Sequence, residues 1–150
     1  MSTTTTNTTS VSITTTGTCT GCCENSTDPC CGTGGLNDDL YLTLASPTCG
    51  DLDGMIIHLT RTYVLGLPTT NWTYASDSGG TGNCANVTSC SFNCSTKSIS
   101  GVWDVDNIFS GTSSDTIDCD AFSLTYAFTT ANGVGAVCCT ATDVTGTLTE

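Results

Sequence analysis

Twelve cysteines, fourteen carboxylates and a single histidine are the groups through which this 150-residue chain could do chemistry. Cys19 and Cys22 form a C-x-x-C followed at once by Cys23, and Cys90 and Cys94 could supply a second pair. A dithiol at that spacing serves redox exchange where a strand runs into a helix, and four thiolates can hold zinc. No helical period surrounds Cys19, and His58 falls in the middle of an alternating run. A Cys-only zinc site is therefore the minor reading, and structural disulfides are the main one. Cys19, Cys22, Cys23, Cys30, Cys31, Cys49, Cys84, Cys90, Cys94, Cys119, Cys138 and Cys139 make an even number, set in a Thr- and Ser-rich chain. That combination implies a disulfide framework formed where thiols are oxidised. Vicinal Cys22–Cys23, Cys30–Cys31 and Cys138–Cys139 suit it, because neighbours on a strand point to opposite sides and can bridge different partners. The spacing leaves the connectivity open.

Asp51 and Asp53 before Gly54, and Asp104 and Asp106 before Asn107, place hard oxygen ligands at alternate positions of turns, as calcium requires. They are weak calcium candidates, because no full EF-hand loop is present and Asp is an ordinary turn residue. No other cofactor is indicated. His58 has no G-x-S-x-G or H-E-x-x-H around it, so the chain reads as non-enzymatic. Trp72, Tyr74 and Trp103 could stack on a sugar, yet their spacing suits a core equally well. Asn7, Asn25, Asn71, Asn86 and Asn93 each precede Ser or Thr by two places, so covalent glycans are candidate modifications.

Two basic residues, Arg61 and Lys97, leave a formal charge of −12 at pH 7. Such a surface repels phosphate backbones and anionic membranes, so neither nucleic acid nor membrane is an expected partner. No apolar run approaches the roughly 20 residues of a spanning helix. Met1 to Ser10 lack the basic and apolar regions of a signal peptide. Oxidised cysteines then imply that a leader precedes this chain, or that it leaves the cell by another route, such as a virion.

The elements that must position these groups are strands. Leu40, Leu42 and Leu44 alternate with polar residues. Met55, Ile57, Leu59 and Tyr63 share a face interrupted by Arg61. Trp72 and Tyr74 mark a short strand, and Ile99, Trp103 and Val105 another. Phe122, Leu124, Tyr126 and Phe128 give the most continuous apolar face, which predicts a central strand. Residues 134–139 and 144–149 complete the set, with Gly, Asn, Asp and Ser clusters between. The expected fold is all-β: a disulfide-stapled, two-sheet antiparallel β-sandwich, immunoglobulin-like or jelly-roll, spanning 36–150. A Cys-rich loop knot at 19–35 precedes it, and before that lies a Thr-rich arm at 1–18. In the arm Thr9, Val11, Ile13 and Thr15 share one face at period two, so Val11 and Ile13 are the candidate assembly residues of a donor strand.

The series CGDLDGMIIHLTRTY, NWTYAS, GVWDV, DCDAFSLTYAF and a CC leading to VTGTLTE resembles a group of poorly characterised cysteine-rich β-proteins of environmental bacteria and their phages. The likeness covers roughly the last two-thirds of the chain and implies a secreted or virion-surface structural protein without an activity. The Thr-rich arm and the CTGCC block depart from that pattern, so assembly behaviour does not carry over with it. The reading that follows is a structural subunit of an extracellular filament or appendage, a homo-oligomer formed by adding the N-terminal strand to a neighbouring subunit. The alternatives are a secreted carbohydrate- or calcium-binding adhesion module and a phage decoration protein.

Overall fold

Leu40, Leu42 and Leu44 are buried while Asp39, Tyr41, Thr43 and Ala45 face outward, the period-two signature of a strand with one wet face. In the computed structural model, which describes residues 18–19, 36–81, 85–103, 107–118, 121–131 and 143–150, that pattern recurs from strand to strand. The strands are β1 (Thr18–Cys19), β2 (Asp39–Ala45), β3 (Ile56–Val64), β4 (Leu67–Ser78), β5 (Val87–Asn93), β6 (Ser98–Trp103), β7 (Asn107–Thr112), β8 (Ile117–Asp118), β9 (Ser123–Ala127), β10 (Thr129–Ala131) and β11 (Thr145–Thr149). The described residues contain no α-helix. The all-β antiparallel expectation holds. The expected strand at 134–139 lies outside the described residues, as do the arm at 1–18 and the knot at 19–35 apart from Thr18 and Cys19.

β2 to β7 run up and down as a meander, each paired antiparallel with the next. The segment 123–131 then joins both ends of this ladder. Its first half, β9, pairs with β11, which pairs in turn with β2. Its second half, β10, pairs with β7. Only Phe128 separates the halves, turned inward, with its N–H bonded to Val144 O at 2.9 Å. One nine-stranded ladder thus curls into a nearly closed barrel, and β1 and β8 form a separate two-stranded ribbon.

Two expectations are corrected here. The facing walls belong to one continuous ladder instead of two stacked sheets, because register shifts in β3–β4 and β5–β6 let the meander bend far enough to meet itself. The strand from Phe122 to Phe128 is not central either: among the described residues β9 pairs with β11 alone. Its apolar face is continuous because it lines the barrel interior at the closure.

The interior is filled. Phe122, Leu124, Tyr126, Phe128, Ile57 and Leu59 are all buried, as expected. An aromatic series crosses it: Trp103 stacks on Phe109 (5.2 Å between centroids), Phe109 meets Phe128 edge-on (5.2 Å), and Phe128 lies parallel to Tyr126 (5.5 Å). Such offset and edge contacts add to the area each ring buries. Gly101 and Gly146 make room for these rings. A Cβ on Gly101 would come within 2.4 Å of Phe109 Cζ, and one on Gly146 within 2.7 Å of Phe128 Cε2.

Candidate functional site

Asp39, His58 and Ser76 occupy the outer faces of β2, β3 and β4. The carboxylate can only accept, so His58 Nε2 donates to Asp39 Oδ1 at 2.7 Å, and His58 Nδ1 accepts from Ser76 Oγ at 3.4 Å. Tyr41 stacks on the imidazole at 4.9 Å with 12° between the planes. The order is that of a nucleophile, base and carboxylate, and sequence reasoning, which placed His58 outward, did not foresee the row. Water rather than fixed dipoles would solvate any charge formed at this exposed surface, so the row works best as a cross-strand polar clasp.

The other candidates separate. Trp72 and Trp103 are fully buried, so neither presents a face to a sugar, and Tyr74 donates its hydroxyl to Asp77 at 2.5 Å. Asp53 Oδ1 accepts from Ser46 N (3.1 Å) and Asp51 Oδ1 from Thr81 Oγ1 (3.3 Å), fixing the 46–55 loop. The described residues hold no cluster of three or more His, Cys, Asp or Glu able to bind a metal ion, and Asp104 and Asp106 lie outside them. Among the sequons, Asn71 and Asn93 face each other across β4 and β5, Asn93 Nδ2 donating to Asn71 Oδ1 at 2.9 Å. Asn86 is exposed; Asn7 and Asn25 are not among the described residues, nor are Val11 and Ile13.

Cys49 and Cys94 are disulfide-bonded. Cys90 is not: it is a buried free thiol, against the expectation that it belongs to the framework. It points inward opposite Gly101, and Cys94 stands four residues away. Four extended residues span about 13 Å, whereas a disulfide needs Cα atoms within about 7 Å. Burial pushes the Cys90 thiol up to about 12, which leaves it inert. Cys19 pairs through its backbone with Ile117, and the remaining cysteines lie outside the described residues.

Two surface features were missed in the sequence. The first is the β3–β4 hairpin. Leu65 (φ +50°) and Gly66 (φ +77°) form a two-residue loop between the paired residues Val64 and Leu67. Both positive φ values are what a type I′ turn demands, and leucine is a poor residue to supply one. Leu65 is 97% exposed, Leu67 69% and Val64 62%. The only advance signal was Gly66 followed by Pro68, which marks a turn but says nothing of its apolar tip.

The second is a groove where the wall parts. β4 pairs with β5 at Asn71–Asn93, Trp72–Phe92 and Thr73–Ser91 only. Beyond that point Tyr74 to Ser78 stay on β3, while Val87 to Cys90 stay on β6. Beside this parting a hollow of about 470 Å³ spans the wall, lined by Tyr74 of β4, Cys90 of β5, Ser100, Gly101 and Val102 of β6 and Ile108 of β7. The strands β5 and β7 beside it were not foreseen, because Ser, Gly and Asn dilute their alternation. Comparison with known proteins returned no matching family model, no matching curated protein and no matching solved structure.

Proposed function

We propose that this chain is a structural subunit of an extracellular filament or appendage, cross-linked by disulfides and joined to its neighbours by N-terminal strand addition and by contacts of its outer wall. The observation that carries this reading is the apolar tip of the β3–β4 hairpin. Val64, Leu65 and Leu67 stand in water in a chain whose carboxylates otherwise keep it dispersed. The sequence holds no carboxylate from 54 to 76 or from 78 to 103. Two molecules of charge −12 approach most readily over such a face, and an anionic bilayer offers no comparable escape from repulsion. Disulfides at Cys49 and Cys94 agree with an oxidising, extracellular setting, as does the resemblance to secreted or virion-surface proteins.

The test is electron microscopy and sedimentation velocity on native protein. Polymers are expected, and Leu65→Asp with Leu67→Asp should lower their yield at least tenfold while circular dichroism stays unchanged. A wild-type protein that sediments as a monomer at high concentration overturns the reading in favour of an adhesion module or a decoration protein.

A further inference from the structure

We infer that the hollow over β4 to β7 receives the β3–β4 hairpin tip of a second copy, seating Leu65 of one molecule beside Val102 and Ile108 of the next; the inference rests on the filament reading above. The hollow arises where small outward side chains are bordered by larger ones. In β5 the register shift between Val87 and Ser89 turns Thr88 and Ser89 outward together, and Ser91 faces Ser100 across β5 and β6. Tyr74 of β4 borders these hydroxyls on one side, and Val102 and Ile108, directly opposed across β6 and β7, border them on the other. Ile108 is half exposed. Tyr74 already gives its hydroxyl to Asp77, so its ring is what it offers to a partner. Water satisfies the hydroxyls, and the apolar border is the part that gains from being covered.

Three observations argue for the tip as occupant. The first is where apolar surface is left in water. Seven large apolar side chains are exposed among the described residues; four lie between Tyr63 and Leu67, and Ile108 stands at the hollow. The second is charge. No residue lining the hollow is charged, and the tip from Tyr63 to Pro68 carries no charge either, in a chain with fourteen carboxylates. Joining these two surfaces leaves no ion buried without a partner, and it brings molecules of charge −12 together where repulsion is least. The third is shape. A two-residue loop is a narrow plug with Leu65 at its apex, 97% exposed, and a hollow of about 470 Å³ is open to it. The main-chain groups of the turn would then meet the hydroxyls of Ser89, Ser91 and Ser100. No molecule can fill its own hollow, because Leu67 and Tyr74 are seven residues apart on β4, about 23 Å of strand. Tip and hollow are different surfaces of one chain, so each added copy presents a fresh one and the contact propagates.

The experiment uses the full chain. An apolar photo-crosslinking residue replaces Leu65, and isotopically heavy and light copies are mixed before assembly. Mixed heavy–light products joining position 65 to peptides containing Ser100, Val102 or Ile108 are expected. Ile108→Asp should lower their yield at least tenfold. So should Ser100→Glu, which places a charge at an exposed position and leaves the interior untouched. Ile56→Asp, at an exposed apolar side chain of β3 outside the hollow, should keep the yield within twofold. Crosslinks to other peptides, no mixed products, or a yield indifferent to both hollow variants would overturn the hollow as acceptor even if polymers persist. Mixed products at the hollow in a protein that microscopy shows only as small closed rings would instead retain the contact and overturn the filament.

Discussion

Arg61 lies over the indole of Trp72, its Cζ 4.5 Å from the ring centroid, although it is one of only two cations in the chain and is buried on β3. Its Nε donates to Thr69 O (3.1 Å) and an Nη to Leu36 O (3.4 Å), while Trp72 Nε1 donates to Asn37 O (3.0 Å). Together these bonds pin the segment that enters β2. Replacing Arg61 by Met removes the donors and the cation–π contact, leaving carbonyls without their partner, and should cost about 1–3 kcal/mol. Urea denaturation of the folded chain reads this directly. A change below a few tenths would mean that packing alone holds the segment.

Cysteine parity sharpens the thiol prediction. Cys90 is free, so eleven of the twelve cysteines remain, and eleven cannot all pair within one chain. Either a second cysteine is also free or one bridges to another copy. Titration under denaturing, non-reducing conditions should therefore find two or more free thiols, or a single one together with a covalent dimer on a non-reducing gel. In the native protein Cys90 should stay unreactive at pH 8, since burial raises its thiol to about 12.

Much of the barrel was legible because burial writes itself as alternation. Leu40 to Leu44 and Phe122 to Phe128 obey period two without exception. The signal failed where the wall bends. Tyr63 was expected to share a buried face with Leu59, but the register shift between Arg61 and Tyr63 places it at 50% exposed, donating to Asp38 Oδ1 at 2.5 Å. Closure was invisible for a different reason. Pairing of one segment with both ends of a ladder is set by non-local contacts, and nothing local at Phe128 marks it. The clasp at His58 and the parting of β4 from β5 are likewise products of register.

Acid should loosen the 113–118 loop. Asp115 Oδ2 accepts from Thr125 Oγ1 and Thr125 N, both at 2.6 Å, and these bonds hold its carboxyl below the usual range. A carboxyl lowered in the folded state contributes stability above its unfolded pKa, about 4, and loses it as pH falls through the lower folded value. The melting temperature of the parent should therefore drop below about pH 4, and Asp115→Asn, which cannot titrate, should show a shallower drop. Parallel curves would show that other carboxylates govern the acid limb.

Glycine at 101 should be indispensable where glycine at 50 is not. A Cβ at position 101 meets Phe109 Cζ at 2.4 Å and the main-chain Ser89 O at 2.7 Å, so the strands or the ring must move; at Gly50 nothing lies within 4 Å. Gly101→Ala should cost about 1–3 kcal/mol by overpacking. Thermal unfolding of the two variants makes the comparison.

The hairpin tip allows stability and assembly to be driven in opposite directions. Leu65 holds φ +50° next to Gly66 at +77°, a conformation in which leucine is strained and asparagine is at ease. Leu65→Asn converts the loop to the Asn-Gly pair that type I′ hairpins favour, and should stabilise the fold by about 0.5–1 kcal/mol. The same change removes the most exposed apolar side chain of the tip. If Val64, Leu65 and Leu67 serve contact between copies, the variant should melt higher and yet polymerise less. A variant that melts higher and polymerises as well as the parent would show that the leucine is tolerated strain with no part in assembly, and the tip would lose its role.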